Sequence, residues 1–226
     1  MITILMPVYN GIEFIHESIN SIMIQTMEDW ELIVGINGHP ENSDVYTNAK
    51  SFEYLSNKIR VYDLYTIKGK SEALNEMVKY AKYDHVAILD VDDIWYPEKL
   101  EKQLPYIKEG YDVVGTKCVY FGSNSNVNGV VPKIPTDDIS TFDFLLFNPM
   151  INSSAIIKKK HANWICEYGV EDYELWLYLR NIGKRFFNCN EILVKHRIHE
   201  ASAFNSKGNS NRVPELQEKY SFLRNS

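Results

Sequence analysis

The chain is poor in the features that mark secreted, membrane-spanning or nucleic-acid-binding proteins. Its three cysteines, Cys118, Cys166 and Cys189, are odd in number and far apart. That excludes a disulfide framework and a close-spaced zinc site, and it points to a reducing, cytoplasmic compartment. No apolar run reaches the roughly 18 to 20 residues a membrane span needs, and the start, Ile2 to Met6, has neither a basic segment nor a small-residue cleavage site. A soluble protein is expected, one that can still sit peripherally against a membrane. The formal net charge of −6 comes from interspersed acids and bases with no basic face beyond Lys158, Lys159 and Lys160, so nucleic acid is not an expected partner. Internal repeats, a dinucleotide fingerprint and a Walker loop are also missing. Gly69, Lys70 and Ser71 precede a helical pattern and read first as its cap, with Ser71 the capping residue.

What is present is a core. In 226 residues, 45% are hydrophobic, enough for one large domain. Apolar residues run from Ile2 to Val8 and again from Trp30 to Ile36, as in strands covered on both faces. Between them Ile12, Ile15, Ile19, Ile22 and Met23 recur at helical spacing. Ile59 to Leu64 and His85 to Leu89 read as further strands, separated by a helix bearing Ala73, Leu74, Met77, Val78 and Ala81, and Pro97 stands where another helix begins. This alternation predicts an α/β fold with a mostly parallel central sheet flanked by helices, whose ligands bind outside the carboxyl ends of the strands. Beyond Asp112 the pattern loosens. Val113, Val114 and Val119 to Phe121 suggest strands, Gly122 to Gly129 a mobile Ser/Asn-rich lid, Phe142 to Phe147 a short helix and Ser154 to Ile157 a strand. Tyr173 to Ile182 suggests a helix with Leu175, Leu179 and Ile182 inward, and the polar chain after Ser202 loose packing.

The chemistry-bearing residues are few. Asp90, Asp92 and Asp93 crowd the end of an apolar strand, where mutual repulsion calls for a cation or a hydrogen-bond network. Mg²⁺ or Mn²⁺ shared with a diphosphate would supply it, and a solvated acidic helix cap is the plain alternative. Glu171 and Asp172 open the Tyr173 helix, whose dipole favours ionised acids. Asp172 could accept a proton from a hydroxyl, although first-turn acids are also ordinary helix-start signals. His196, Arg197 and His199 could face a metal or a phosphate, against the commoner role of surface or packing residues. Trp95, Trp164 and Trp176 read as core.

Together these pieces resemble the family 2 glycosyltransferases with the GT-A fold. The resemblance is carried by Met6, Pro7, Val8, Tyr9 and Asn10, by Lys70, Ser71, Ala73 and Asn75, and most specifically by the run Leu89 to Leu100. Asn152 to Ser154, Glu171 to Trp176 and Arg197 to Glu200 extend it. It implies an inverting, metal-assisted transfer of a sugar from a nucleotide-diphosphate donor to an acceptor hydroxyl in glycan or polysaccharide biosynthesis. By it, Asp172 would be the base, and Asp92 and His199 would hold Mn²⁺ or Mg²⁺. Pro7, Tyr9, Asn10, Asn37, Lys70 and Asp90 would bind the donor, and Asp93, Glu171 and Arg197 would support them. Residues 1–115 would form the nucleotide-sugar half, 116–204 the smaller acceptor half and 205–226 a polar tail. Where the family commonly has two aspartates before a glycine, this chain has Ile36, Asn37 and Gly38, so a UDP-sugar, the foremost donor, does not follow automatically. Rival readings are a non-catalytic sugar-nucleotide-binding or scaffold domain and a nucleotidyltransferase.

Overall fold

A computed structural model of the chain describes residues 1–123, 126–165, 167–199 and 212–224. The first half runs β1 (Ile2–Val8), α1 (Ile15–Met23), β2 (Trp30–Asn37), α2 (Asp44–Lys50), β3 (Ile59–Leu64), α3 (Lys70–Tyr80) and β4 (His85–Ile88). The second runs β5 (Ile94–Trp95), α4 (Lys99–Lys108), β6 (Val113–Gly122), β7 (Asp137–Asp138), β8 (Ile156–Lys158), α5 (Glu171–Asn181), β9 (Phe186–Ile198) and α6 (Val213–Arg224).

Among the described residues nine strands make one sheet in the order β3-β2-β1-β4-β8-β6-β9-β5, with β7 on β9. The β1–β2, β2–β3, β1–β4 and β6–β9 ladders are parallel, and β5, β7 and β8 pair antiparallel with their neighbours. β1 and β2 are buried at every position, as continuous apolar runs require when helices cover both faces. Successive side chains go to opposite faces. Ile4, Met6 and Val8 join Ile19 and Ile22 of α1, whereas Leu5 joins Leu74 and Met77 of α3. Trp95, Trp164 and Trp176 are core residues, and Cys118 and Cys189 are buried free thiols. No helix among the described residues is long and apolar enough to cross a membrane.

Several local expectations change. The α3 N-cap is Gly69, not Ser71, which lies buried inside the helix. Phe142 to Phe147 forms turns, not a helix, because Phe144 turns into the core and its carbonyl accepts the Tyr173 hydroxyl at 2.5 Å. Asn152 to Ser154 is a 3-10 turn leading to β8. Ile182 follows the last turn of α5 and is 42% exposed. Of the chain after Ser202, expected to pack loosely, residues 203–211 lie outside the described residues, and α6 docks through buried Leu216 and Tyr220, one helical turn apart. In the Gly122 to Gly129 stretch, Gly129 N–H donates to Tyr120 O at 2.9 Å. Asn124 and Ser125 of the expected lid lie outside the described residues, as do Cys166 and Glu200.

Candidate active site

The chain passes from β1 to β2 and β3 on one side and to β4 on the other. Such a reversal opens a crevice at the carboxyl ends of the two central strands. The β1–β4 ladder covers only Thr3 to Leu5, so Pro7 lies beyond it and its missing N–H costs no bond to β4. Into this crevice run Pro7 to Asn10 from β1 and Asp90 to Asp93 from β4. Pro7 is buried, and Tyr9 and Asn10 are exposed. Gly38, at φ 76°, lies so close to the Tyr9 ring that a Cβ there would displace it, and the left-handed backbone also favours glycine at this rim.

Each carboxylate of the acidic turn has its own partners. Asp90 Oδ1 meets Lys70 Nζ at 2.7 Å, and Asp90 Oδ2 accepts from Asn152 Nδ2 at 3.0 Å and Ser153 Oγ at 3.3 Å. Burial opposes ionisation, but the Lys70 ammonium outweighs it and holds Asp90 below the usual carboxylate range. Asp92 shifts the other way, raised by burial and by the neighbouring Asp93 and Asp90 charges. Its Oδ2 lies 3.0 Å from His199 Nε2. Asp93 is wholly buried and accepts from the Arg197 backbone N–H at 2.8 Å, with His196 Nδ1 at 2.9 Å. Burial lowers the His196 pKa, but Asp93 reverses this and lifts it to about 9, so the imidazole is protonated at neutral pH.

Arg197 ties the turn down from above. Its Nε donates to Asp92 O and its Nη2 to Glu17 Oε2, both at 2.8 Å. The guanidinium sits 4.3 Å and 4.4 Å from the Phe14 and Phe121 rings, a flat cation between two aromatic faces. From below, Trp95 Nε1 donates to Ser153 O at 2.7 Å. Lys99, fully buried in the helix that follows, places Nζ 3.9 Å from the Trp95 ring and donates to Gln103 Oε1 at 2.8 Å.

The second acidic pair joins the first through Lys70, whose Nζ is also 3.4 Å from Glu171 Oε1. Asp172 follows in the first turn of α5 and accepts from Asn148 Nδ2 at 3.1 Å. A helix start alone would favour its ionised form. Burial and the adjacent Glu171 charge prevail, and the Asp172 pKa rises to about 6, with Lys70 resisting. A carboxylate titrating there suits a general base near neutrality.

Asn37 ends β2 and is 1% exposed. Its Nδ2 donates to Lys68 O at 3.2 Å, which fixes the amide orientation, and Oδ1 has no hydrogen-bond partner among the described residues. Such a buried acceptor calls for a donor. Sequence reasoning thus named the carboxylates, Lys70 and His199. It missed Asn148 as a partner of Asp172, Asn152 and Ser153 as partners of Asp90, and His196 as the counter-ion of Asp93. Lone Asn and Ser residues in loops carry no pattern, so only the Asn-Ser-Ser run offered a signal.

Comparison with known proteins places the fold and then the family. Solved structures of similar architecture include Staphylococcus aureus TarS 1-349 in complex with UDP-GlcNAc, with TM-score 0.73 and 15% identity over 98% of this chain and 66% of that one. The mannosyltransferase PcManGT of Pyrobaculum calidifontis, in complex with GDP-Man and Mn²⁺, aligns with TM-score 0.73 and 14% identity over 98% and 64%. The architecture is therefore that of the GT-A glycosyltransferases. Residues 3–169 match the profile of Glycosyl transferase family 2, and the chain belongs to that family. Its curated relatives include the Escherichia coli O-antigen biosynthesis glycosyltransferase WbnJ, 29% identical over 89% of this chain and 81% of that protein. Another is the E. coli UDP-Glc:alpha-D-GlcNAc-diphosphoundecaprenol beta-1,3-glucosyltransferase WfgD, 28% identical over 99% and 85%. The chain is a glycosyltransferase of glycan biosynthesis.

Proposed function

We propose that this glycosyltransferase moves a sugar from a nucleoside-diphosphate donor to an acceptor hydroxyl in one inverting displacement. The observation that carries the reading is Lys70: one ammonium lies within 4 Å of both Asp90 at the donor side and Glu171 beside the candidate base. Asp172 takes the acceptor proton as the acceptor oxygen bonds the anomeric carbon and the bond from that carbon to the diphosphate breaks. Lys70 keeps Asp90 ionised and, against Glu171, sets the field in which Asp172 titrates. Orienting both substrates against these fixed groups supplies much of the acceleration.

Asp92 and His199 are the residues that would hold a divalent ion. Among the described residues no group of three or more His, Cys, Asp or Glu side chains is placed to hold an ion; Asp92 Oδ2 and His199 Nε2 lie 3.0 Å apart and would supply two protein ligands. That fits Mg²⁺ or Mn²⁺, which keep positions for water and phosphate oxygens. When bound, such an ion neutralises charge on the departing diphosphate. Asp93, held by His196 and Arg197, keeps the Asp92 turn in place. The proposed donor is a UDP-sugar or a GDP-sugar. TarS with UDP-GlcNAc and PcManGT with GDP-Man represent those two donor classes. The name of WfgD, with its diphosphoundecaprenol-linked substrate, suggests a lipid-linked acceptor and peripheral membrane contact for this enzyme too.

The test is a panel of nucleotide-diphosphate sugars, each with Mn²⁺, Mg²⁺ or chelator, scored by slow donor hydrolysis and by thermal stabilisation. One donor should be hydrolysed with metal present, and Asp92→Ala should lower that rate by about 100-fold or more, several kcal/mol of lost charge stabilisation. If no donor stabilises the protein or turns over under any metal, the chain is a scaffold and not a catalyst.

A further inference from the structure

Asn148 lies in the loop between β7 and β8, and no role follows for it from the family resemblance. Its amide orientation is fixed at both ends. Oδ1 accepts the Met150 backbone N–H at 3.1 Å and Nδ2 donates to Asp172 Oδ2 at 3.1 Å. The flipped amide would set oxygen against carboxylate oxygen and NH₂ against N–H, so only one orientation satisfies both partners.

The loop itself is anchored. Arg180 Nε donates to Phe142 O at 3.3 Å, Tyr173 Oη to Phe144 O at 2.5 Å, and Asn188 Nδ2 to Pro149 O at 3.0 Å. Tyr173 Oη in turn accepts from Gln217 Nε2 of α6 at 3.1 Å. Lys219 and Arg212 extend this strap, meeting Glu167 Oε2 and Glu167 O at 2.6 and 2.7 Å just before α5. The last helix therefore braces both the segment that carries Asn148 and the segment that leads into the base.

From this geometry we infer that Asn148 is the positioning residue of the base: its amide aims the Asp172 carboxylate and favours the ionised form, and α6 holds the loop that presents it. The inference rests on Asp172 being the base. A carboxylate has about four lone-pair sites, so accepting the Asn148 amide proton and the Tyr173 backbone N–H leaves capacity for an acceptor hydroxyl. The charged groups facing Asp172 are Glu171 on its own helix and Lys70 from α3. Asn148 adds a neutral donor on the loop side, which eases ionisation without a second cation.

The test replaces Asn148 with Ala, Ser and Asp and follows turnover of the donor identified by the panel from pH 5 to 9. Asn148→Ala should move the acid limb upward by roughly 0.5 to 1 pH unit, cutting kcat roughly three- to eightfold at pH 5.5 while approaching the wild-type value near pH 8.5, with donor KM unchanged. Asn148→Ser, with a shorter hydroxyl donor, should recover part of the shift, and Asn148→Asp should displace the limb further. Direct NMR titration of the Asp172 carboxyl, assigned by its loss in Asp172→Asn, reads the same shift without activity. An unmoved Asp172 titration in folded Asn148→Ala overturns the inference even if Asp172 is the base. If the titration moves while the rate profile does not, Asp172 is not the base and the reading it rests on fails. Should Asn148→Ala not fold, the same comparison is made with Asn148→Ser.

Discussion

Asp172→Asn should abolish most turnover and at the same time make the protein more stable. Asparagine keeps the shape but cannot take a proton, and loss of a general base costs typically 10² to 10⁴ in rate. A fall of about 10³ in kcat with unchanged donor affinity is the expected outcome. The stability gain follows from linkage. The folded Asp172 pKa, about 6, exceeds the ordinary carboxylate value, so the folded state binds this proton more tightly than the unfolded one. Its favourable contribution is complete below about pH 4 and is lost as pH rises through 6. The amide has no such loss, so at pH 7.5 the variant should gain about 1–2 kcal/mol, an amount reduced from the full shift for the solvent that reaches the site. Thermal melts at pH 4 and pH 7.5 separate the cases: a gain at high pH only is expected. A variant that keeps more than a tenth of the wild-type kcat would remove Asp172 from the role of base.

Asp93→Ala should have the opposite signature, a large loss of stability. The side chain is wholly buried, and removing it strands the protonated His196 imidazole and the Arg197 N–H. Breaking a buried pair from one side typically costs about 3–5 kcal/mol, a drop in Tm of roughly 10 °C for a domain of this size. Because the Asp93 contacts fasten β9 to the acidic turn, binding of donor with Mn²⁺ should weaken in parallel when measured by calorimetry on the still-folded fraction. A Tm within 2 °C of wild type would mean that Arg197, through Asp92 O and Glu17, holds the turn unaided.

The first half of the fold was legible because burial on both faces leaves nearly continuous apolar runs, as in β1 and β2, each interrupted by one buried polar residue, Thr3 and Glu31. The acidic turn was legible because three carboxylates in four residues are costly without a compensating partner. The second half hides its structure. β9 is a single strand, yet Asn188, Asn190 and Glu191 interrupt its apolar residues, so only Ile192 to Val194 stood out. α2 carries a polar face, and its one fully buried residue is Ala49. The aromatic spacing of Phe142 to Phe147 mimicked a helix, but the Tyr173 hydroxyl and the Arg180 guanidinium of α5 take up the Phe144 and Phe142 carbonyls and hold that backbone in turns. For α6 the signal was present in Leu216 and Tyr220, set among charged residues that drew the reading toward a tail. Neither the rise in the Asp172 pKa nor the orientation of Asn37 could be read from residue types, because both depend on what lies within a few ångströms across the sheet.

In the proposed complex the nucleotide meets the ends of β1 and β2 and the turn after β4, while the surroundings of Asp172 come from loops beyond residue 140. Lys70 bridges the two sets from the donor side, and Asn152, Ser153, His196, Arg197 and His199 reach back to the acidic turn from the later half. A lineage could exchange the loop around Asn148 by recombination and acquire a new acceptor while the machinery that recognises the donor passes on intact, as long as Asn152, Ser153 and β9 are kept. The same seam marks where a laboratory chimera could be joined, provided the salt bridge from Lys70 to Asp90 and Glu171 is inherited as a unit.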